Sequence, residues 1–229
     1  MYSKADHDRI HDAIEAAEAR TSGEIFCVVA KESGAYREVP LAWAAIVALL
    51  APPLALIVGF RPDAVVRAVS GLTQGGWVAG HAGALNSAVM AALIGYALVQ
   101  LVLFILTLAL VSIPPVRRVL TPGSVKHEHV HARAVEQFSH RLHQTSGRTG
   151  VLIFASLAER RVEVIGDEDI HTKVGDAAWD GAVAAALAKI KTGDVASGLI
   201  EAVRLCGDAL AAHFPPDGSS APAGDIADV

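Results

Sequence analysis

GVLIFASLAERRVEVIGD, residues 150–167, decides how this chain folds. Residues 151–156 and 161–165 read as two strands joined by a tight turn at Leu157 to Arg160. The second run alternates, with Glu163 turned outward, which marks it as an edge strand of an antiparallel pair. Upstream, EIFCVVA at 24–30 is apolar on both alternating faces, the pattern of a strand covered on both sides. It is preceded by DHDRIHDAIEAAEAR, an amphipathic helix with Ile10, Ala13, Ile14 and Ala17 on one face, stopped at Thr21-Ser22-Gly23. Downstream, helices are expected over 176–190 and 194–214, separated at KTGD, where Gly193 ends one and Asp194 caps the next.

These pieces need one another, because none can bury its apolar face alone. The simplest assembly is an α/β domain, with strand 24–30 parallel to strand 151–156 through a crossover. The crossover includes a helix begun by Ser124 and ended near Ser146-Gly147, whose expected buried stripe is Val125, Ala132, Val135, Phe138 and Leu142. The tail PPDGSSAPAGDIADV, 215–229, is rich in Pro, Gly and Ser and is expected to be disordered.

Between the first strand and that helix the chain changes character. Residues 41–60, LAWAAIVALLAPPLALIVGF, carry no charge and reach roughly 30 Å at 1.5 Å per residue, the thickness of a hydrocarbon core. A second apolar stretch over 84–113 is long enough to span with tilt. The chain is 52% hydrophobic in 229 residues, with a mean hydropathy of +0.41, too apolar for an ordinary soluble protein of this size. The two stretches therefore read as a transmembrane hairpin, with Trp43 and Trp77 as interfacial aromatics. Arg20, Lys31 and Arg37 before it and Arg117, Arg118, Lys126 and Arg133 after it outweigh Arg61 and Arg67 in the connecting loop. By the positive-inside rule both termini are cytoplasmic. The opening residues lack the apolar core of a cleavable signal.

The domain organisation expected is thus a first part at 1–38, a hairpin at 39–116, the remainder of the α/β domain at 117–214, and the tail. A net charge of −5 without a basic run excludes nucleic acid as partner. Cys27 and Cys206 read as buried thiols in a reducing compartment.

The most site-like sequence is VIGDEDIHTKVGD, 164–176, at the carboxyl end of the third strand, a usual place for sites in α/β folds. Asp167, Asp169 and Asp176, joined by Glu24, would supply hard oxygen ligands for Ca²⁺ or Mg²⁺. The stretch fails the calcium-loop pattern, lacking both the glycine at the turn and the closing glutamate. The plainer reading is solvated carboxylates, with Asp169 or Thr172 capping a short turn and Asp176 capping a helix. Asp167-Glu168-Asp169 with Lys173 has the composition of an aspartate-based phosphatase, but on an edge strand. His7 and His11, and His127 and His131, are pairs four apart that share a helix face and suit a metal, with no third ligand fixed by spacing. There is no GxSxG for a nucleophile, and Ser156, which ends a strand, has no base that sequence identifies; there is no GxGxxG or P-loop.

The order of helix, TSGEIFCVVAKES, intervening helix, TGVLIFASLAERRVEVIGDEDI and KVGDAAWDGAVAAALAKIKTGDVASGLIEAV resembles the TPM domain, which takes its name from a thylakoid lumen protein, a photosystem repair protein and an acetylcholine-receptor modulator. In particular it resembles the bacterial membrane-anchored branch. The resemblance covers roughly 5–40 and 117–214, and rests on Thr21 to Ile25, Arg160 and Arg161, Gly166-Asp167 and Gly193 to Leu199. It implies an α/β/α sandwich with a small mixed sheet. It also implies an accessory or repair factor of a membrane complex, since members resemble such factors, and some have been assigned weak acid phosphatase activity or divalent-cation binding. The expectation is therefore a bacterial inner-membrane protein with two spans. The lipid bilayer and another membrane protein are its partners, and no cofactor is required by any motif. The alternative is a divalent-metal-dependent phosphatase using residues 167–176.

Overall fold

The computed structural model describes residues 3–59, 67, 81–142, 149–216 and 225–228. It divides into two compact units, Met1–Ala35 with Gly123–Val229, and Tyr36–Pro122.

The first unit begins with α1, Lys4–Glu18, opened by a reciprocal cap in which the Ser3 side chain takes the Asp6 N–H and the Asp6 carboxylate takes that of Ser3. β1, Glu24–Ala30, follows as expected. After the second unit come α5, Gly123–Leu142; β2, Gly150–Ser156; β3, Arg161–Gly166; α6, Glu168–Val174; α7, Asp176–Ile190; α8, Val195–His213; and β4, Ile226–Asp228. The sheet order is β3-β2-β1-β4. β1 pairs with β2 in parallel, Glu24 opposite Gly150 through Ala30 opposite Ser156. β3 runs antiparallel to β2 and is an edge, as its alternation implies.

Alternation along β1 and β2 sorts their side chains into two cores. Ile25, Cys27, Val29, Val151, Ile153 and Ala155 face α1, α7 and α8. Phe26, Val28, Ala30, Leu152 and Phe154 face α5. The result is the three-layer α/β/α arrangement with a small mixed sheet. The two thiols share the first core. Burial raises the Cys27 thiol, with the neighbouring Cys206 and Glu18 adding to the effect, and burial alone pushes Cys206 up to about 12.

Three expectations are corrected. The tail is not wholly irregular: β4 pairs in parallel with β1, Cys27 opposite Ile226, and Ile226 is buried. Its physical reason is the second edge of β1, whose Cys27 N–H is taken by the Asp225 carbonyl at 3.0 Å. Residues 217–224 and 229 lie outside the described residues. On α5 the buried stripe is Val130 and Ala134 with Phe138 beside them, while Ala132 and Val135 are exposed. A spacing of four keeps 130, 134 and 138 on one side, and small residues at 130 and 134 let the helix approach the aromatic face made by Phe26 and Phe154. The helix begins at Gly123 rather than with a Ser124 cap, and its expected end near Ser146-Gly147 lies outside the described residues. Finally, Glu163 does not face water, because α5 covers that side of β3; its side chain is 14% exposed.

The second unit holds α2, Glu38–Ile57; α3, His81–Ser112; and α4, Pro114–Leu120. α2 continues through Pro52 and Pro53. It packs against α3, and Trp43 donates its indole N–H to the Leu120 carbonyl at 3.1 Å. Two helical stretches, Glu38–Ile57 and Ala92–Ser112, are long and apolar enough to cross a membrane, and only 22% and 11% of their most apolar windows are buried. A core helix of a soluble domain would bury most of itself. The connecting stretch carrying Arg61 and Trp77 lies outside the described residues.

Candidate functional site

The acidic sequence 164–176 folds largely as helix rather than loop. Asp167 occupies the position before α6, yet its carboxylate does not cap that helix. Its Oδ2 instead accepts the Gly150 N–H at 3.2 Å, and its own N–H goes to the Gly150 carbonyl at 3.0 Å, which extends the β2–β3 ladder by one rung. Glu168 and Asp169 are exposed in the first turn of α6, where they complement its dipole. Ile170 anchors the helix, fully buried against Gly166. Thr172 donates to the Glu168 carbonyl at 2.8 Å and caps nothing. Gly175, at φ 75°, separates α6 from α7. It holds the N-cap position expected of Asp176, which is the first residue of α7; the Asp176 side chain lies outside the described residues.

Direction matters for this site. The rule that sites gather at the carboxyl ends of strands concerns parallel strands. Because β3 is antiparallel, its carboxyl end lies where β1 and β2 begin. Glu24 stands at that same edge, opposite Gly150, with its N–H on the Thr149 carbonyl at 3.0 Å. Asp167 and Glu24 thus flank Gly150 from neighbouring strands, about 10 Å apart along the backbone by two strand spacings.

A residue absent from the sequence reading completes this edge. Glu18 ends α1, is 7% exposed, and its Oε1 accepts the Ile25 N–H at 2.7 Å. Its signal in the sequence was a carboxylate four residues beyond Ile14, on the apolar stripe of α1. Burial, and then the charge of Glu18, raise the Glu24 carboxyl above its ordinary value of 4.5. One buried Glu24 oxygen, Oε2, has no hydrogen-bond partner among the described residues. The acid form of Glu24 is therefore favoured in the native state. Its stabilising contribution is complete below the ordinary carboxylate pKa and is lost as pH rises through the raised folded value. Glu24→Gln is expected to raise the melting temperature at neutral pH, with the gain disappearing in acid, as thermal melts across pH would show. A gain that is the same at every pH would refute this account.

Lys173 does not join the carboxylates. Its ammonium lies 4.6 Å from the centroid of the Phe214 ring, a cation–π contact. Among the described residues, no three His, Cys, Asp or Glu side chains are already gathered as a ligand set.

At the opposite edge, where the parallel strands end, Ser156 is buried and donates to Glu159, whose Oε2 also accepts the Ser33 N–H at 3.2 Å. This carboxylate is the partner for Ser156 that sequence did not identify, and it ties the exits of β1 and β2 together. Of the histidine pairs, His11 meets Glu15 at 3.5 Å within α1. His127 and His131 meet Glu163 of β3, at 3.3 and 3.0 Å.

No curated protein matches the chain. Among solved structures, the NMR structure of the BA42 protein from the psychrophilic bacterium Bizionia argentinensis is similar in fold. Its TM-score is 0.53 at 17% identity, over 100% of this chain and 96% of that one. Residues 117–209 match the family model of the TPM domain, a stretch that takes in α5, β2, β3, α6, α7 and most of α8. Over that stretch the chain is similar to the TPM domain.

Proposed function

We propose that this protein is a non-enzymatic accessory or assembly factor for a membrane partner, held in the bacterial inner membrane by α2 and α3 with both termini in the cytoplasm. The observation that carries the reading is where the apolar helices lie. They interrupt the domain between β1 and the helix leading to β2, and they leave Leu49, Leu50, Leu54, Leu101, Ile105 and Leu106 exposed. Apolar surface of that extent in water carries a large free-energy cost, which lipid removes. An anchor inside the domain fixes it against the bilayer at two chain crossings, a geometry suited to holding a neighbouring membrane protein.

A second reading is a divalent-metal-dependent phosphatase at the edge formed by Glu24, Asp167, Asp169 and Asp176. Glu24 favours it, because a destabilised carboxylate with an unpartnered oxygen is common where function rather than stability sets the environment. Membrane fractionation with alkaline extraction, and phosphate release by the detergent-purified chain with and without Mg²⁺ or Ca²⁺, separate the two. The accessory reading expects retention in the extracted membrane and no metal-dependent release. Release that is lost in both Glu24→Gln and Asp167→Asn would replace it with the second reading.

A further inference from the structure

We propose that His127, His131 and Glu163 form a binding site for a zinc-class divalent transition metal ion, bridging α5 and β3. The backbone sets up the arrangement. Val130, Ala134 and Phe138 direct α5 onto the sheet, which leaves positions 127 and 131, one turn apart, over the edge strand. On β3, Val162 and Val164 face the opposite core, so Glu163 between them rises to meet the two imidazoles. The third ligand that spacing alone did not supply is provided by the fold.

The distances suit the chemistry. Glu163 Oε2 is 3.0 Å from His131 Nδ1, and Oε1 is 3.3 Å from His127 Nδ1. Tetrahedral zinc, with bonds of about 2.0–2.2 Å, separates neighbouring ligand atoms by about 3.3–3.5 Å. The two contacts fall on different oxygens of Glu163, so an ion held through one oxygen keeps one of these spacings and draws the other imidazole round to it. The imidazoles, whose centroids are 6.3 Å apart and tilted by 35°, must also close on one another. Both rings lie at the surface, at 63% and 61% exposed, which leaves room for the side-chain rotation this requires. Glu163 Oε1 is buried and lacks a hydrogen bond of good geometry even with His127 close by, so a cation fills an acceptor position that the chain leaves open. Arg161, on the same face of β3, is directed to the Gly123 carbonyl at 3.2 Å, at the start of α5.

Two imidazoles and one carboxylate favour zinc, nickel or copper over calcium and magnesium, which take oxygen ligands. The class of ion thus differs from that expected at the Glu24–Asp167 edge. A water completes the fourth position at this exposed site. The bound ion would clamp the first turns of α5, where the chain re-enters the α/β unit, to the edge of the sheet.

The test uses the full chain purified in detergent without a polyhistidine tag and stripped with chelator. Titration with ZnCl₂ is followed by calorimetry, and with CoCl₂ by visible absorption. One equivalent of zinc is expected, with Co²⁺ giving the intense bands of a tetrahedral site. His131→Ala and Glu163→Gln should each weaken zinc binding by about tenfold or more, while His7→Ala/His11→Ala leaves it unchanged. Since His131 is largely exposed, loss in His131→Ala cannot be assigned to misfolding. Absence of saturable binding, equal binding by His131→Ala and Glu163→Gln, or loss in the His7/His11 variant would each overturn the proposal.

Discussion

Replacing residues 36–122 by a short glycine–serine linker is expected to give a water-soluble α/β domain with its four-stranded sheet intact. The cut follows the boundary of the first unit, Ala35 to Gly123. The ends to be joined are close in space. Gly34 lies against His129 so tightly that a Cβ there would sit 2.6 Å from its Nδ1. Gly123 is six residues earlier on the same helix, about 9 Å at 1.5 Å per residue, within reach of a handful of flexible residues. The Glu159 contacts to Ser33 and Ser156, which hold the exit of β1, remain inside the retained part. The shortened chain should appear in the supernatant after high-speed centrifugation and melt cooperatively, whereas the full chain should sediment with membranes. A shortened chain that still sediments, or that melts without a transition, would show that the helices contribute to the fold itself.

On that soluble domain, Phe154→Ala is expected to lower stability by about 3–5 kcal/mol. Phe154 is 0% exposed on β2, which is flanked by β1 and β3, and it fills the α5 side of the sheet with Phe26, Val28 and Leu152. Its neighbours on the helix, Val130 and Ala134, are too short to collapse into the space left behind. Against a total of about 5–15 kcal/mol for a domain, the loss would move the urea midpoint strongly while the slope stays unchanged. A loss under about 1 kcal/mol would mean that α5 is not packed on this face.

The fold is legible in the sequence where a segment's own residues decide its state. β1 is apolar on both faces because helices cover both sides of it, and that pattern is visible in seven residues. α7 and α8 are bounded by Gly193 and by Asp194, whose carboxylate takes the Ser197 N–H at 3.1 Å. It is not legible where a partner distant in sequence decides. Ile226 to Asp228 form a strand because β1 offers an open edge, not because three residues in a Pro- and Gly-rich tail favour one. Glu163 looked like the outward residue of an alternating strand, and only the placement of α5 shows that outward means beneath two histidines. The acidic segment misled through direction, since an antiparallel strand delivers its carboxyl end to the opposite edge of the sheet. Glu18 is hidden in the sequence because a carboxylate near the end of a helix usually faces water.

β1 pairs along its whole length with β2, whose first residue, Gly150, follows Ala30 by 120 positions. During synthesis, at about 5–20 residues per second, the interval between the emergence of β1 and that of β2 is on the order of 6–25 s. Throughout that interval a seven-residue apolar strand has no sheet to join, while the next segments to emerge are the two apolar helices. Translation order therefore places delivery of the helices before closure of the domain.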